Sequence, residues 1–282
     1  MPGENEFDGP AVQPAVQRLG VVGVGLIGGS VAMAAKKRLG CRVVGVGRSA
    51  AKLAPAVEAG VLDEAAGDAA ALSGCDLVVV CTPVDRLAAD VKAAARHAPD
   101  AAITDAGSTK ASIAAACAGL PTFVGAHPMA GSEKTGWRHA SADLFEGRVT
   151  ALTPREGSPV ADRVEAFWRS LGSRTVRMDA AEHDRAVARV SHAPHFAAAA
   201  LVAAAADTRL AAGGFRDTTR VAAGDPALWT AIARENAGPL AEALGDLSGR
   251  LLAMKAAVEA ERWDAVEAML AKAAERRRSL DP

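Results

Sequence analysis

Three glycines at GxGxxG spacing constrain this chain more than any other feature. They are Gly23, Gly25 and Gly28, with Leu26 and Ile27 between the last two. The first permits a tight turn, the second lets backbone approach a pyrophosphate, and the third lets a helix pack closely on a strand. Alone the pattern is weak. Here it lies between an apolar run (residues 19–24) and an alanine-rich helical stretch, near the start of a βαβ pattern. In that place it predicts a dinucleotide-binding turn, with the amides of a helix N-terminus facing the phosphates.

The rest of the first half agrees. Apolar runs at 19–24, 43–46, 77–80, 101–104, 122–126, 149–152 and 175–178 read as strands, and stretches such as 86–96 and 160–171 read as helices. Such alternation predicts an α/β fold with a doubly wound, Rossmann-like, mostly parallel sheet. After Asp179 only helical patterns follow, at 180–212, 226–254 and 262–279. The expected division is a tail (1–16), a dinucleotide-binding domain (17–179) and an all-helical substrate-binding and dimerisation domain (180–282). Leu240, Leu244, Leu247 and Leu251 share one helix face, so a homodimer through this half is expected.

Composition removes several classes. The formal net charge is −1 with no extended basic patch, which argues against nucleic-acid binding. The longest apolar run, 196–206, is too short to span a bilayer, and the polar N-terminus lacks the apolar core of a secretory signal. Four scattered cysteines, with no CxxC pair and no histidine at ligand spacing, predict buried free thiols in a reducing compartment, expected to be the cytoplasm, and no metal site. Tyrosine is absent, which excludes the Tyr–Lys proton relay of short-chain dehydrogenases. Acid–base chemistry must come from other residues.

Ligands of doubly wound sheets bind at the carboxyl ends of strands. Thr82 and Pro83 end one predicted strand, and Asp105 and Ser108 follow another, so both segments reach the cofactor cleft. Ser108 also suits a helix N-cap, and one hydroxyl can serve both ends. After the second strand, where an acid would bind the ribose 2′-hydroxyl, stand Gly47, Arg48 and Ser49. No carboxylate repels a 2′-phosphate there, and a guanidinium with a hydroxyl suits one, so NADP is expected over NAD. Arg48 stacked on adenine would be compatible with either cofactor.

The segment AHPMAGSEKTG (126–136) puts His127, Ser132, Glu133 and a lysine in one stretch. A proton acceptor at His127, downstream of a dinucleotide motif, is what an alcohol-oxidising enzyme needs. Pro128, Gly131 and Gly136 equally mark a turn-rich loop whose polar residues face water. In the helical half, His192 and His195 flank Pro194, which is expected to kink the helix and free a carbonyl. A double glycine, Gly213 and Gly214, then breaks that helix before a polar turn with Arg216 and Arg220. A guanidinium there suits a carboxylate ligand, or simply solvent.

Taken together these segments resemble the prephenate/arogenate dehydrogenase family. The resemblance rests on GVGLIGGS (23–30), DAGSTK (105–110), HPMAGSEKTG (127–136), His183-Asp184, SHAPH (191–195), GFRDTTR (214–220), Asp225-Pro226 and Trp229. It implies oxidative decarboxylation of a cyclohexadienyl carboxylate, prephenate or arogenate, with hydride transfer to NAD(P). It further implies that His127 is the base, that Ser108 bonds the substrate hydroxyl or the histidine, and that Arg220 holds the ring carboxylate. His195 and Glu133 complete the polar end of the pocket, with Ser132 and Gly214 also facing substrate, and Trp229 closes it, in one version from the partner subunit. Gly47, where this family commonly has an acid, puts NAD preference in doubt. The sequence ends after the helical half without an ACT domain, so feedback through one is not expected. Two other readings are a paralogue acting on 4-amino-4-deoxyprephenate and a catalytically silent NAD(P)-binding regulator. The presence of both His127 and Ser108 favours a hydroxyl substrate over an amine.

Overall fold

The computed structural model describes residues 16–132 and 134–280. Glu133 and all but the last residue of the expected N-terminal tail lie outside them. Eight strands form one sheet: β1 (Arg18–Val22), β2 (Arg42–Val46), β3 (Glu64–Ala66), β4 (Leu77–Val80), β5 (Ala102–Asp105), β6 (Phe123–Pro128), β7 (Val149–Thr153) and β8 (Arg174–Arg177). Their order is β3-β2-β1-β4-β5-β6-β7-β8. Neighbouring strands run parallel except β6 and β7, which pair antiparallel with His127 opposite Ala151.

Helices α1 (Leu26–Leu39), α2 (Ala50–Glu58), α3 (Val84–His97), α4 (Ala111–Ala116) and α5 (Ala161–Ser170) connect the strands. Alternation along each strand serves both faces of the sheet. Leu19, Val21, Leu77 and Val79 pack in one apolar core with Ala32 and Ala35 of α1 and Phe167 and Trp168 of α5. Val22, Val78, Val80 and Ile103 pack in a second core with Leu87 and Val91 of α3 and Ile113 of α4. Covering both faces is what a parallel sheet requires, because its strands are apolar all round.

The helical part contains α6 (Ala180–Val187), a π turn (Ala188–His192), α7 (Ala193–Ala204), α8 (Gly213–Thr219), α9 (Pro226–Glu235), α10 (Ala237–Glu259) and α11 (Trp263–Arg278). Two compact units result. One holds the residues up to Asp184 together with Ala223–Glu235, and the other holds Arg185–Ala222 with the residues from Asn236 onward. Helix α9 therefore belongs to the sheet unit, where it packs on α3. In the second unit α10 packs along α7, α11 and the π turn. Leu240 is buried there, but Leu251, Leu252, Trp263 and Leu270 are each more than half exposed. No described helix is long and apolar enough to cross a membrane.

Three local expectations need correction. Pro194 does not interrupt a regular helix: it falls in the first turn of α7, directly after the π turn. The wider turn, in which the Ala193 N–H donates to the Ala188 carbonyl five residues back, absorbs the missing proline donor. The double glycine does not end the preceding helix, which stops at Ala204; Gly213 and Gly214 instead open α8. The helical stretch predicted from Pro226 is two helices, broken at Asn236.

Candidate active site

The turn after β1 carries the glycines as the motif requires. Gly23 has φ +88°, and a Cβ there would lie 2.9 Å from the Cys81 backbone. At Gly28 a Cβ would sit 2.1 Å from the Gly23 carbonyl oxygen, so α1 could not pack on the turn. At Gly25, the N-cap of α1, a Cβ would meet nothing within 4 Å. Packing within the protein therefore does not explain Gly25, whereas close approach of a pyrophosphate does. No acid stands in the first turn of α1, where Leu26 and Ile27 lie, to compete with phosphate. The Thr82 hydroxyl, beside Gly23, is buried and makes no hydrogen bond in the described protein. Pro83 caps α3 alongside it. These features fit a dinucleotide.

Gly47 follows β2 with its N–H on the Ala66 carbonyl, Arg48 is exposed, and Ser49 is the N-cap of α2 without a capping side-chain bond. The Ser49 hydroxyl is thus not spent on its helix. All four cysteines are free thiols, and burial pushes Cys41 to about 11 and Cys81 higher still. Neither supplies thiolate chemistry near neutral pH.

A buried polar network lies at the ends of β5 and β6. Asp105 is fully buried, with Oδ1 accepting from the Ala126 N–H at 3.0 Å and Oδ2 from the Gly107 N–H at 2.8 Å. The ammonium of Lys110, equally buried, pairs with the same carboxylate. The Asp105 side chain is thus committed within the protein. Ser108, half-buried, sits on the loop between Asp105 and Lys110.

His127 lies inside β6, not in a loop beyond it, and is 9% exposed. Its Nδ1 is 2.9 Å from Nε2 of His183, whose own Nδ1 is 2.8 Å from Oδ1 of Asp184. Burial pushes the Asp184 carboxyl up, but hydrogen bonds from His183 and from the Ala111 and Lys110 amides bring it below its ordinary value. An ionised carboxylate only accepts, so His183 donates from Nδ1 and, when neutral, accepts at Nε2. His127 then donates from Nδ1 and carries its lone pair on Nε2. The tautomer follows from a chain of three side chains. Among the described residues, no three His, Cys, Asp or Glu side chains are arranged to hold a metal ion.

In the helical unit, His192 in the π turn and His195 in α7 are both buried. The Asn236 amide donates to Nδ1 of His192 at 3.2 Å instead of capping α10, so His192 carries its proton on Nε2. Burial lowers the pKa of His195. Gly214 is exposed in α8, and Arg220 is exposed at its end. Arg216 donates from Nε to the Ala211 carbonyl. Trp229 is half-buried in α9, and Ser132 is exposed beyond β6. The sheet unit thus brings His127 together with His183 and Asp184, two residues that the reading of the sequence used only as a motif. Lys110 likewise entered only as the end of the DAGSTK segment.

Comparison with known proteins identifies the family. The family model for the prephenate dehydrogenase nucleotide-binding domain matches residues 31–177, and that for the prephenate dehydrogenase dimerization domain matches 179–272. Prephenate dehydrogenase of Bacillus subtilis (strain 168) is 35% identical over 77% of this chain, which spans 63% of that relative's length. Cyclohexadienyl dehydrogenase of Zymomonas mobilis is 31% identical over 88% of this chain and 90% of its own. The crystal structure of Aquifex aeolicus prephenate dehydrogenase with hydroxyphenyl propionate and NAD+ superposes with a TM-score of 0.88, at 28% identity, over 95% of this chain and 99% of that one. With both domain models matched in order along an eight-stranded dinucleotide-type fold, the chain belongs to the prephenate dehydrogenase family.

Proposed function

We propose that this protein catalyses the oxidative decarboxylation of prephenate or arogenate, with NADP preferred to NAD as hydride acceptor. The observation that carries the reading is the His127–His183–Asp184 chain, which directs the lone pair of a buried histidine to Nε2, on a strand that ends at the same edge of the sheet as the dinucleotide turn. The relatives' names, prephenate dehydrogenase and cyclohexadienyl dehydrogenase, supply the substrate class. Gly23, Gly25 and Gly28, the first amides of α1, and Thr82 would hold the dinucleotide, with Arg48 and Ser49 on a 2′-phosphate. When bound, its nicotinamide supplies the hydride acceptor.

His127 takes the substrate's hydroxyl proton at Nε2 as hydride leaves the carbon that bears the hydroxyl. General-base help of this kind contributes about 100- to 10,000-fold. Its positive charge is then balanced through His183 by Asp184, which stabilises the imidazolium as a buried aspartate does in a hydrolase triad. Ser108 bonds the same hydroxyl and orients it toward the base. Arg220 holds the ring carboxylate until carbon dioxide departs and the ring becomes aromatic, while His195 and Trp229 line the substrate. The apolar residues left exposed on α10 and α11 support a homodimer, in keeping with the matched dimerization-domain model. Free cysteines fit a reducing compartment such as the cytoplasm.

The test is absorbance at the reduced-nicotinamide band, with prephenate and arogenate each offered NADP and NAD. Cofactor reduction accompanied by carbon dioxide release and an aromatic product is expected with at least one substrate. No reduction with either would reject the reading.

A further inference from the structure

Asp184 does more than partner one histidine. Its Oδ1 accepts from the Lys110 N–H at 2.7 Å and from Nδ1–H of His183 at 2.8 Å, and its Oδ2 accepts from the Ala111 N–H at 2.8 Å. The two amides open α4, more than 70 residues earlier in sequence, two and three residues after Ser108. The carboxylate is 2% exposed, so these donors meet it away from solvent. One side chain is thus tied both to the segment behind Ser108 and, through His183, to His127.

The chemistry demands an acceptor-only group at this position. An asparagine of the same shape offers one oxygen and one NH2, so it cannot accept from both amides and the imidazole. An asparagine oxygen in the Oδ1 place would keep both the Lys110 N–H and Nδ1–H of His183, and its NH2 would meet only the Ala111 N–H. Asparagine therefore spares the histidine link and loses one anchor of α4. A side chain with no acceptor, such as leucine, releases Nδ1–H of His183 as well. Both imidazoles are then free to exchange tautomers, and His127 no longer holds its lone pair on Nε2 alone.

We propose that Asp184 is a positioning residue that sets both partners of the substrate hydroxyl: it fixes the lone pair of His127 on Nε2 and anchors the α4 start behind Ser108. This rests on His127 being the base. The alternative is that Asp184 serves folding alone, as an anchor for α4.

The experiment combines the Asp184→Leu variant, with Asp184→Asn beside it, and nitrogen NMR of histidine-labelled protein. In the wild type, with neutral rings, His127 and His183 should both carry their protons on Nδ1. In Asp184→Leu the Nε2–H tautomer of His127 should appear, and turnover per folded site should fall tenfold or more. Asp184→Asn, whose oxygen can stay on His183 and Lys110, should keep the wild-type tautomers and lose less turnover than Asp184→Leu. The cofactor dissociation constant should stay within twofold in both. An Asp184→Leu variant that loses thermal stability but keeps its tautomers, with turnover reduced less than tenfold, overturns the proposal. Should Asp184→Leu fail to fold, the wild-type spectrum decides, because an Nε2–H tautomer at either histidine overturns it. His127→Asn separates the two readings. If that variant stays active, the base assignment itself fails; if it is inactive while Asp184→Leu is not, only the role of Asp184 fails.

Discussion

His127→Asn separates the role proposed for this side chain from its part in the fold. An asparagine amide can reach roughly the place of Nδ1 and donate to Nε2 of His183, so the 2.9 Å hydrogen bond has a substitute. The residue is almost buried, and keeping its partner satisfied limits the loss of stability to about 1 kcal/mol. In a protein of this size that lowers Tm by roughly 2–4 °C. The reaction loses its proton acceptor altogether, because a carboxamide is not basic near neutral pH. A fall of about 100- to 10,000-fold corresponds to roughly 2.7–5.5 kcal/mol in the barrier. The kinetic effect should therefore exceed the folding effect several-fold. Turnover would be followed at saturating substrate, cofactor affinity by quenching of protein fluorescence, and folding by a thermal melt. Retention of more than a tenth of wild-type turnover refutes the assignment. So does a variant whose cofactor affinity falls in step with its rate, because the histidine would then be holding the dinucleotide.

Three further outcomes are expected. Arg220→Ala should raise the apparent substrate constant about 10- to 150-fold, the equivalent of roughly 1.5–3 kcal/mol for a charged hydrogen bond. Arg216→Ala, whose guanidinium is engaged with the Ala211 carbonyl, should change it less than threefold; equal effects would reject Arg220 as the carboxylate partner. Arg48→Ala should weaken NADP at least tenfold more than NAD, and Gly47→Asp should reverse the preference, since the added Cβ meets only a yielding Leu53 side chain at 3.1 Å. A wild-type preference for NAD of tenfold or more would rule out a 2′-phosphate site at Arg48. Gly25→Ala should melt like the wild type yet lose dinucleotide affinity, whereas Gly28→Ala should lower the melting temperature itself, because its Cβ would fall 2.1 Å from the Gly23 carbonyl oxygen. Matching melts for the two variants would contradict the separate roles given to these glycines.

Strands and helices were legible where periodicity is strong, and the seven expected strands all exist. The eighth, Glu64–Ala66, has only three residues and nothing β-branched, so it shows no apolar alternation; pairing with β2 makes it a strand. Strand direction was not legible for β7, because an apolar run reads the same in either sense. His127 was legible as a candidate because a histidine beside glycines and proline is conspicuous. What holds it was not: in sequence Asp105 reads as a residue of the cofactor cleft, and Lys110 and Asp184 stand only within motif segments. Burial of Lys110, Asp105 and Asp184 depends on contacts 5 to 74 residues apart, beyond any local pattern. The π turn was hidden for a related reason. Pro194 signals that a donor is missing, but not whether the chain kinks or widens to accommodate it.

The antiparallel reversal at β7 has an evolutionary corollary. Because β6 and β7 run in opposite senses, the connection 129–148 leaves and re-enters the sheet at the same end, directly after the proposed base. A parallel pair would need a crossover of fixed minimum span, but a reversed pair does not. Closing such a connection costs free energy that grows only with the logarithm of its length. Lengthening these 20 residues by eight would add about 0.3 kcal/mol while leaving the pairing of His127 with Ala151 untouched. Selection, or a designer grafting a new loop, can therefore rework the segment that carries Ser132 and leave the proposed base in register. New side chains there can then be tried without each step having to rediscover the position of His127.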